Sequence, residues 1–253
     1  MTTLLLDAGN TRLKWAVLGT DKVLSPVKAL DYIPEGDNPL GLSALSELLA
    51  GCSSLQRVVA VHVLGSAFEE SLRRLIQTID LPLYCVKSQS LGYGIKVAYH
   101  QPERLGADRF VALVAAHHLY PTETCIVMDC GTGVTIDAIL PSGQHQGGLI
   151  LPGIRTSGQA LIQRAKATHL AQSLDHIELF AKDTIQGIGS GAVLGLVGAL
   201  EGISTRMEQA LNAPVKRILT GGDALLLQQY LSTQYCYEPQ LIMQGLQVIT
   251  ESL

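Results

Sequence analysis

Two short segments of the chain place an aspartate just before a glycine turn, a combination that suits phosphate chemistry. Residues 4–18 read LLLDAGNTRLKWAVL and residues 126–140 read IVMDCGTGVTIDAIL. In both segments three apolar residues precede the aspartate, and Asp7 in the first corresponds to Asp129 in the second. The pattern predicts a strand, a tight turn and a return strand in each segment. Two matching hairpins half a chain apart indicate two duplicated lobes.

The two turns offer the groups that phosphoryl transfer needs. A glycine turn exposes backbone N–H groups that can surround phosphate oxygens, and a carboxylate at a strand end can hold Mg²⁺. In the first turn Asn10 and Thr11 add side-chain donors, and Lys14 adds a positive charge. Two such turns facing each other would clamp a polyphosphate and its metal, so that catalysis rests on positioning and charge neutralisation. Plain hairpins with ordinary turn residues are the alternative interpretation.

The segment Gly106-Ala107-Asp108-Arg109 stands at the start of a predicted helix and offers two further groups. Asp108 can accept the proton of an attacking hydroxyl, which is general-base catalysis. Arg109 can bind a carboxylate through two parallel N–H bonds. The alternative is structural: an acidic residue in the first helical turn, favoured by the helix dipole, and an arginine on the solvent face.

Glycine-rich segments occur in two other places. Thr220-Gly221-Gly222-Asp223 follows a predicted strand, and its glycines allow close approach of a base or a phosphate; a tight turn with an aspartate cap is the alternative. Residues 187–192 fit the pattern G-x-G-x-x-A, but no strand precedes them, so a Rossmann turn is not expected. The repeated glycines from residue 191 to residue 202 indicate instead a helix that packs closely against another.

Composition and charge exclude several classes of function. The 253 residues carry a net charge of −4 and no basic block, so no nucleic-acid partner is expected. The five cysteines are odd in number and form no C-x-x-C pair, which favours a reducing compartment and argues against disulfides or a zinc site. The N-terminus has no basic leader, and the apolar run Gly189–Leu200 is short for a membrane span. We therefore expect a cytoplasmic protein that does not bind membranes, with that run as a buried helix.

Hydrophobic periodicity predicts alternating strands and helices, which is typical of an α/β fold. Beyond the two hairpins, the predicted strands are Val58–Val63, Leu83–Val86, Gly147–Leu151 and Arg217–Leu219. The predicted helices are 38–51, Ser66–Ile79, Leu105–Leu119, Thr156–Ala167, Thr184–Leu211, Asp223–Leu231 and Gln240–Gln247. Residues 87–103 show no clear period and are predicted to form a functional loop. A cleft between the two lobes is the expected ligand site.

Taken in order, these motifs resemble those of the type III pantothenate kinases, a branch of the sugar-kinase and actin superfamily. The resemblance covers nearly the whole chain and is carried by DAGNTRLK (7–14), GADR (106–109), DCGTGVTID (129–137), GGLILPG (147–153), the segment at Thr184 and LTGGD (219–223). The combination of GADR with the second turn separates this family from other kinases of the superfamily. The resemblance implies an α/β fold of duplicated actin/hexokinase-like (ribonuclease H-like) lobes, residues 1–104 and 105–253, with a central cleft between them.

The resemblance also implies a reaction: transfer of the γ-phosphate of ATP to the terminal hydroxyl of pantothenate, the first step toward coenzyme A. Asp108 is then the general base, Asp129 binds a monovalent cation (K⁺ or NH₄⁺), and Asp7 is a candidate ligand of the Mg²⁺ that accompanies ATP. The implied ATP and phosphate contacts are Asp7, Ala8, Gly9, Asn10, Thr11, Arg12, Leu13, Lys14, Gly131, Thr132, Gly221 and Gly222. The implied pantothenate contacts are Tyr99, Gly106, Ala107, Asp108, Arg109 and Thr184.

Family members complete the active site across a homodimer interface, so the resemblance implies that Thr184 acts on the substrate of the other subunit. One position departs from the family pattern, because Gly133 stands where many members have alanine, and the turn is then more permissive. Two other functions remain open: a non-catalytic regulatory or transcription-accessory relative, and a kinase of another hydroxylated acceptor. The presence of every charged group that the chemistry needs argues against the first of these.

Overall fold

The computed structural model describes residues 1–31, 45, 49, 54–166, 172–232 and 234–253. They form two compact units, one comprising Met1–Leu119 with Gln240–Leu253 and the other Tyr120–Pro239. The helix that follows residue 105 and the C-terminal helix therefore belong to the first unit, whereas the sequence placed both in a second lobe, 105–253. The helix predicted at residues 38–51 lies outside the described residues, apart from Leu45 and Leu49.

Strands and helices alternate along the described chain, as the periodicity predicted. The strands are β1 (Thr3–Ala8), β2 (Arg12–Leu18), β3 (Lys28–Asp31), β4 (Arg57–His62), β5 (Leu83–Cys85), β6 (Leu91–Gly92), β7 (Ile95–Lys96), β8 (Thr124–Cys130), β9 (Gly133–Ile139), β10 (His145–Pro152), β11 (Val215–Thr220) and β12 (Cys236–Tyr237). The helices are α1 (Gly65–Gln77), α2 (Ala107–Leu119), α3 (Ile154–Arg164), α4 (Thr184–Leu211), α5 (Ala224–Gln228) and α6 (Leu241–Glu251).

Each unit contains a five-stranded sheet, and the two sheets have the same topology. The strand order is β3-β2-β1-β4-β5 in the first unit and β10-β9-β8-β11-β12 in the second. In both sheets the first three strands are antiparallel and the remaining two are parallel to the central strand. The two predicted glycine hairpins are β1–β2 and β8–β9, which occupy equivalent positions, so the predicted duplication is confirmed at the level of topology.

In the first unit, β1 is buried on both faces because helices cover both sides of the sheet. Leu4 and Leu6 pack with residues of α1, including Phe68 and Leu72, in one hydrophobic cluster. Helix α6 also packs against β1, and α2 packs against both β4 and α6. A central strand covered on both faces reads as a continuous apolar run, which explains the three leucines before Asp7.

In the second unit, the core is one cluster between the sheet and the helices α3 and α4. Alternate residues of β8, namely Ile126, Met128 and Cys130, join residues of α4 such as Val193 and Leu200 in it. Because side chains alternate across a strand, these three residues share one face of the sheet. The sequence pattern of β8 therefore sets which way the strand faces, and the helices cover that face.

Helix α4 is longer than the apolar run that the sequence singled out. Its N-cap residue, Asp183, accepts a hydrogen bond from the backbone N–H of Gln186 at 2.8 Å, and its C-cap residue, Asn212, has a φ of 49°, as is common where helices end. By length and composition alone it is the one candidate membrane span among the described residues, and 39% of its most apolar window is buried. The core helix of a water-soluble protein meets the same criterion.

The structure adds elements that the sequence did not reveal. The edge strand β3 and the two-residue strand β12 were not predicted. The loop predicted at residues 87–103 contains the small hairpin β6–β7 and a 3-10 turn at Pro102–Arg104. The predicted boundaries of the other elements agree with the structure to within a few residues, and the predicted helix at Thr184–Leu211 is confirmed.

Candidate functional site

The first turn is positioned by the pairing of β1 with β2. Asp7 lies directly opposite Lys14 in the antiparallel register, so both side chains project from the same face of the sheet. The turn itself is closed by a hydrogen bond from the backbone N–H of Gly9 to the carbonyl oxygen of Arg12 at 3.0 Å. A carboxylate and an ammonium group thus stand side by side at the base of an exposed glycine turn.

The residues of the first motif divide into two groups by burial. The side chains of Ala8 and Leu13 belong to the hydrophobic core and are 2% and 3% exposed, so their contribution to a ligand is limited to the backbone. Asn10, Thr11 and Arg12 are exposed. The guanidinium of Arg12 forms a two-point ion pair with Asp31 of β3, and this hydrogen bonding lowers the pKa of the Asp31 carboxyl. A phosphate that recruited Arg12 would compete with that pair.

The segment at residues 106–109 begins α2 and brings an arginine into the protein interior. Arg109 is 6% exposed, and its guanidinium donates a hydrogen bond to the hydroxyl of Tyr99 at 2.8 Å. The guanidinium also lies over the Tyr99 ring, 5.6 Å from its centroid. The alternative interpretation, an arginine on the solvent face, is therefore wrong. Tyr99 and Arg109, both predicted pantothenate contacts, lie together.

Asp108 lies beside Arg109 in the first turn of α2. Its carboxylate oxygen Oδ1 accepts a hydrogen bond from the backbone N–H of Arg109 at 2.8 Å, and the side chain is half-buried. A Cβ at Gly106 would lie 2.6 Å from the same oxygen, so a larger residue there would displace the carboxylate. The glycine therefore leaves the space that the Asp108 carboxylate occupies, a role for Gly106 that the sequence alone did not predict.

A pocket of about 460 Å³ opens beside Tyr99 in the first unit. Its lining residues are Ala98, Tyr99, His100, Gln101 and Arg104. It is built by the segment that the sequence marked as a functional loop, and it carries two basic side chains. His100, Gln101 and Arg104 were not among the predicted site residues, because nothing in their sequence spacing distinguishes them.

The second turn, between β8 and β9, is closed by a hydrogen bond from the backbone N–H of Gly131 to the carbonyl of Gly133 at 3.1 Å. Two groups from the following segment hold it. Gly153 N–H and Thr156 Oγ1 both donate to the carbonyl of Thr132, at 3.0 and 2.6 Å. A Cβ at Gly153 would lie 2.0 Å from the carbonyl oxygen of Gly131, so this contact requires glycine. Gly153 lies in the motif GGLILPG, but the sequence alone did not predict this role for it.

The segment at residues 220–223 lies against the second turn because β11 is parallel to β8, with Thr220 opposite Asp129. Gly221 has a φ of +96°, and a Cβ there would lie 2.6 Å from Oδ1 of Asp129 and 2.3 Å from the carbonyl oxygen of Cys130. Asp223 takes the N-cap position of α5, as the alternative interpretation had it, although its side chain makes no cap hydrogen bond. Gly222 is exposed at the same place.

The space that a Cβ at Gly221 would fill lies between Oδ1 of Asp129 and the carbonyl oxygen of Cys130. A carboxylate and neighbouring backbone carbonyls are the ligands that hard cations such as Mg²⁺, Ca²⁺ and K⁺ prefer. Asp7 offers a similar carboxylate at the first turn. These carboxylate and carbonyl oxygens therefore fit a metal ion that accompanies a polyphosphate. Thr184, the remaining predicted contact, is the exposed first residue of α4 in the second unit.

Comparison with known proteins gives a consistent result. The family model described as type III pantothenate kinase matches residues 3–206. A type III pantothenate kinase of Nitrosococcus oceani is 32% identical over 249 residues, which cover 96% of this chain and 91% of that protein. Among solved structures, a conserved Baf family transcriptional activator from Campylobacter jejuni matches with a TM-score of 0.57 at 24% identity, over 98% of each chain. An archaeal actin homologue matches with a TM-score of 0.53 at 13% identity, over 100% of each chain.

The duplicated sheets, the two aspartate-glycine turns and the structural likenesses define an actin-like and sugar-kinase-like fold, as the sequence predicted. Within that class, the chain belongs to the type III pantothenate kinase family. Enzymes of this family phosphorylate pantothenate in coenzyme A biosynthesis, and the kinase reaction implies ATP and a divalent metal. The predicted family and reaction are confirmed. The predicted cleft between the lobes stays a prediction.

Proposed function

We propose that Asp108 is the general base that activates the primary hydroxyl of pantothenate for attack on the γ-phosphate of ATP. The observation that carries this assignment is the juxtaposition of Asp108 with the buried pair of Arg109 and Tyr99 at the start of α2. A primary hydroxyl is a poor nucleophile at neutral pH, so a carboxylate that takes its proton as the new bond forms accelerates the reaction. Asp108 is the carboxylate closest in sequence to the proposed substrate contacts.

The pantothenate carboxylate is the natural partner of Arg109 in this proposal. A guanidinium binds a carboxylate through two parallel N–H bonds, and a partly desolvated site strengthens the interaction. Tyr99 orients the guanidinium by accepting one of its hydrogen bonds and by stacking beneath it. The substrate would then be held at its acidic end, with Gly106 and Ala107 lining the path to Asp108.

ATP is proposed to bind at both glycine turns. Backbone N–H groups at the tips of the turns, such as those of Asn10, Thr11 and Thr132, would surround the phosphates, with Lys14 adding positive charge. The N–H groups of Gly9 and Gly131 keep the turns closed. Mg²⁺ would be held by Asp7 and would neutralise phosphate charge as it develops in the transition state. Exposed Gly222, next to Gly221, leaves room for another part of the nucleotide.

Asp129 is proposed to bind a monovalent cation, K⁺ or NH₄⁺. The support is the space left by the missing side chain of Gly221, which is bounded by Oδ1 of Asp129 and the carbonyl oxygen of Cys130. A cation here would reduce repulsion between the carboxylate and the phosphates of ATP. The proposal predicts that activity depends on K⁺ at fixed Mg²⁺ and ionic strength.

We also infer a homodimer whose interface completes the active site, with Thr184 serving the neighbouring subunit. Helix α4, which begins at Thr184, presents four exposed glycines at helical spacing, Gly191, Gly195, Gly198 and Gly202, and a Cβ at each would meet nothing within 4 Å. Leu179 and Phe180, shortly before α4, are 77% and 80% exposed, which is unusual for large apolar side chains on a monomer surface. With a net charge of −4 and no basic block, we expect a cytoplasmic dimer that binds neither nucleic acid nor membranes.

The proposal for Asp108 is tested by measuring ADP release with pantothenate, ATP and Mg²⁺, with and without K⁺. Asp108→Asn is expected to lower kcat by about 10²- to 10⁴-fold because it removes the base and keeps the shape. Asp80→Asn is the matched control, since Asp80 is exposed with a φ of 52°, a conformation that asparagine accepts readily. Full activity of a folded Asp108→Asn variant would reject Asp108 as the base.

A further inference from the structure

Three side chains of metal-binding type converge in the first unit, and none of them belongs to the predicted kinase site. His62 ends β4, Cys85 ends β5, and Glu69 lies in α1. One potential ligand atom from each lies within 4.8 Å of the other two. It is the one group of three potential metal ligands found among the residues that the structure describes.

The sheet register explains why these residues meet. In the parallel pairing of β4 with β5, Cys85 lies opposite Ala60. Because alternate residues of a strand share a face, His62 projects on the same side of the sheet as Cys85. Helix α1 covers this face, with Phe68 buried in the same cluster as Cys85, and the next residue in the helix is Glu69. The three residues are thus brought together by tertiary structure from separate elements.

His62 is the member of the group whose bonding is incomplete. Its side chain is 10% exposed, and its Nδ1 atom is buried with no hydrogen-bond partner among the described residues. Its Nε2 atom lies 3.5 Å from Oε2 of Glu69. Burial lowers the pKa of His62, which favours the neutral ring that can donate a lone pair to a metal. Burying a ring nitrogen without a partner is costly, and a metal bound through Nδ1 would remove that cost.

Glu69 and Cys85 supply an oxygen and a sulfur ligand. Glu69 pairs with Arg73 at 2.7 Å and with Lys87 at 3.2 Å, and these hydrogen bonds keep its pKa below the usual range, so that the group is a carboxylate. Lys87 is 72% exposed and can swing into solvent when a metal takes its place. Burial raises the pKa of Cys85 to about 11, so metal binding would release the thiol proton to solvent and form a metal–thiolate bond.

We propose that His62, Glu69 and Cys85 form a binding site for Zn²⁺ or another metal ion that accepts mixed nitrogen, oxygen and sulfur ligands. Three protein ligands leave a fourth tetrahedral position for water. Ligand atoms of such a site stand about 3.5 Å apart, so the three groups would close by at most about 1.3 Å. The odd number of cysteines and the lack of a C-x-x-C pair predicted no zinc site. These three ligands come from three different elements, so no short sequence motif contains them.

The position of the site suggests what a bound metal would do. His62 lies opposite Ala8 in the pairing of β4 with β1, and the backbone N–H of Val63 donates to the carbonyl of Ala8 at 3.3 Å. A metal held by His62 would therefore fasten the end of β4 to α1 and β5 beside the first glycine turn. Its effect is expected on stability, with no part in the transfer reaction.

The test is titration of the full-length protein, freed of metal by a chelator, with Co²⁺ as a spectroscopic probe. We expect about one Co²⁺ per chain, a sulfur-to-metal charge-transfer band in the near ultraviolet, and displacement of Co²⁺ by Zn²⁺. Cys85→Ser should abolish the band. Cys125→Ser should retain it, because Cys125 is also a buried free cysteine but lies in the second unit.

Two further variants keep the test decisive if Cys85→Ser does not fold. Glu69→Gln removes the carboxylate ligand and keeps the size of the side chain, and it should weaken Co²⁺ binding at least about tenfold. Lys87→Ala removes the competing ammonium and should strengthen binding. A wild-type protein that binds no Co²⁺ would overturn the proposal, as would a charge-transfer band that survives Cys85→Ser or an unchanged affinity in Glu69→Gln.

Discussion

At the scale of single residues, the proposed role of Arg109 rests on its burial. An arginine is rarely buried without a reason, because its charge must be compensated and its donors must be satisfied. Here the phenol of Tyr99 provides a hydrogen bond and an aromatic face, which orient the guanidinium. An oriented cation in the interior is well suited to an anionic substrate. This is the physical basis for assigning the pantothenate carboxylate to Arg109.

Arg109→Lys tests this assignment because it keeps the charge and removes the planar fork. We expect the KM for pantothenate to rise roughly tenfold to a hundredfold, as for loss of a charge-assisted hydrogen bond, while the KM for ATP stays within about twofold of wild type. Steady-state kinetics with each substrate varied in turn would measure both. Arg74→Lys, on the exposed face of α1 and paired with Glu70, is the matched control. Equal rises in both KM values would contradict a specific role.

At the scale of elements, the two glycine turns differ in how tightly their surroundings constrain them. A Cβ at Gly133 would meet the carbonyl oxygen of Leu151 at 3.7 Å, which is an ordinary contact. A Cβ at Gly221 would overlap backbone atoms of Cys130, and its φ of +96° is unfavourable for any side chain. The departure from the family pattern at Gly133 is thus tolerated by the fold, whereas Gly221 is required by it.

The two glycines give a matched pair of substitutions for thermal or chemical unfolding. Gly133→Ala is expected to leave the protein as stable as wild type or more stable by about 0.4–1 kcal/mol, since alanine restricts the unfolded chain. Gly221→Ala is expected to destabilise the protein by about 3 kcal/mol, from backbone strain and overlap with β8. If both variants unfolded at the same denaturant concentration, the close packing of the segment at Gly221 against the second turn would be wrong.

At the scale of the whole molecule, the proposal of a shared active site rests on α4. Its buried face packs into the second unit, and its opposite face exposes the row of glycines that begins at Gly191. Small residues allow the backbones of two helices to approach closely, so such a face suits a symmetric contact between two copies of the chain. Thr184, the exposed first residue of the same helix, would then reach the neighbouring subunit.

Mixing two inactive variants tests whether the active site is shared. Asp108→Asn and Thr184→Tyr are each expected to lose activity as homodimers, the second because a large side chain would block the pantothenate site. Mixed dimers contain one site with both residues intact, so random co-assembly should recover about a quarter of wild-type ADP release. No recovery from mixed dimers, verified by differential tagging, would show that Thr184 acts within its own chain.

Sequence alone predicted the elements that are determined by patterns among neighbouring residues. The glycine hairpins, the apolar runs of β1 and β8 and the bounds of α4 follow from periodicity and turn residues, which neighbouring positions determine. The edge strand β3 was missed because its four residues are mostly exposed and carry no apolar alternation. The two units also differ from the predicted lobes, 1–104 and 105–253. Helix α6, at the far end of the sequence, belongs to the first unit.

The sequence by itself determined the family, the duplicated hairpins and the identity of the charged groups, because these depend on residue type and short spacing. Only the tertiary structure decided that Arg109 is buried against Tyr99, that Gly221 lies against Asp129, and that His62 meets Cys85. Those contacts depend on which strands become neighbours and in what register. Strand pairing between distant segments is set by packing of the whole unit, and no local pattern in the chain encodes it.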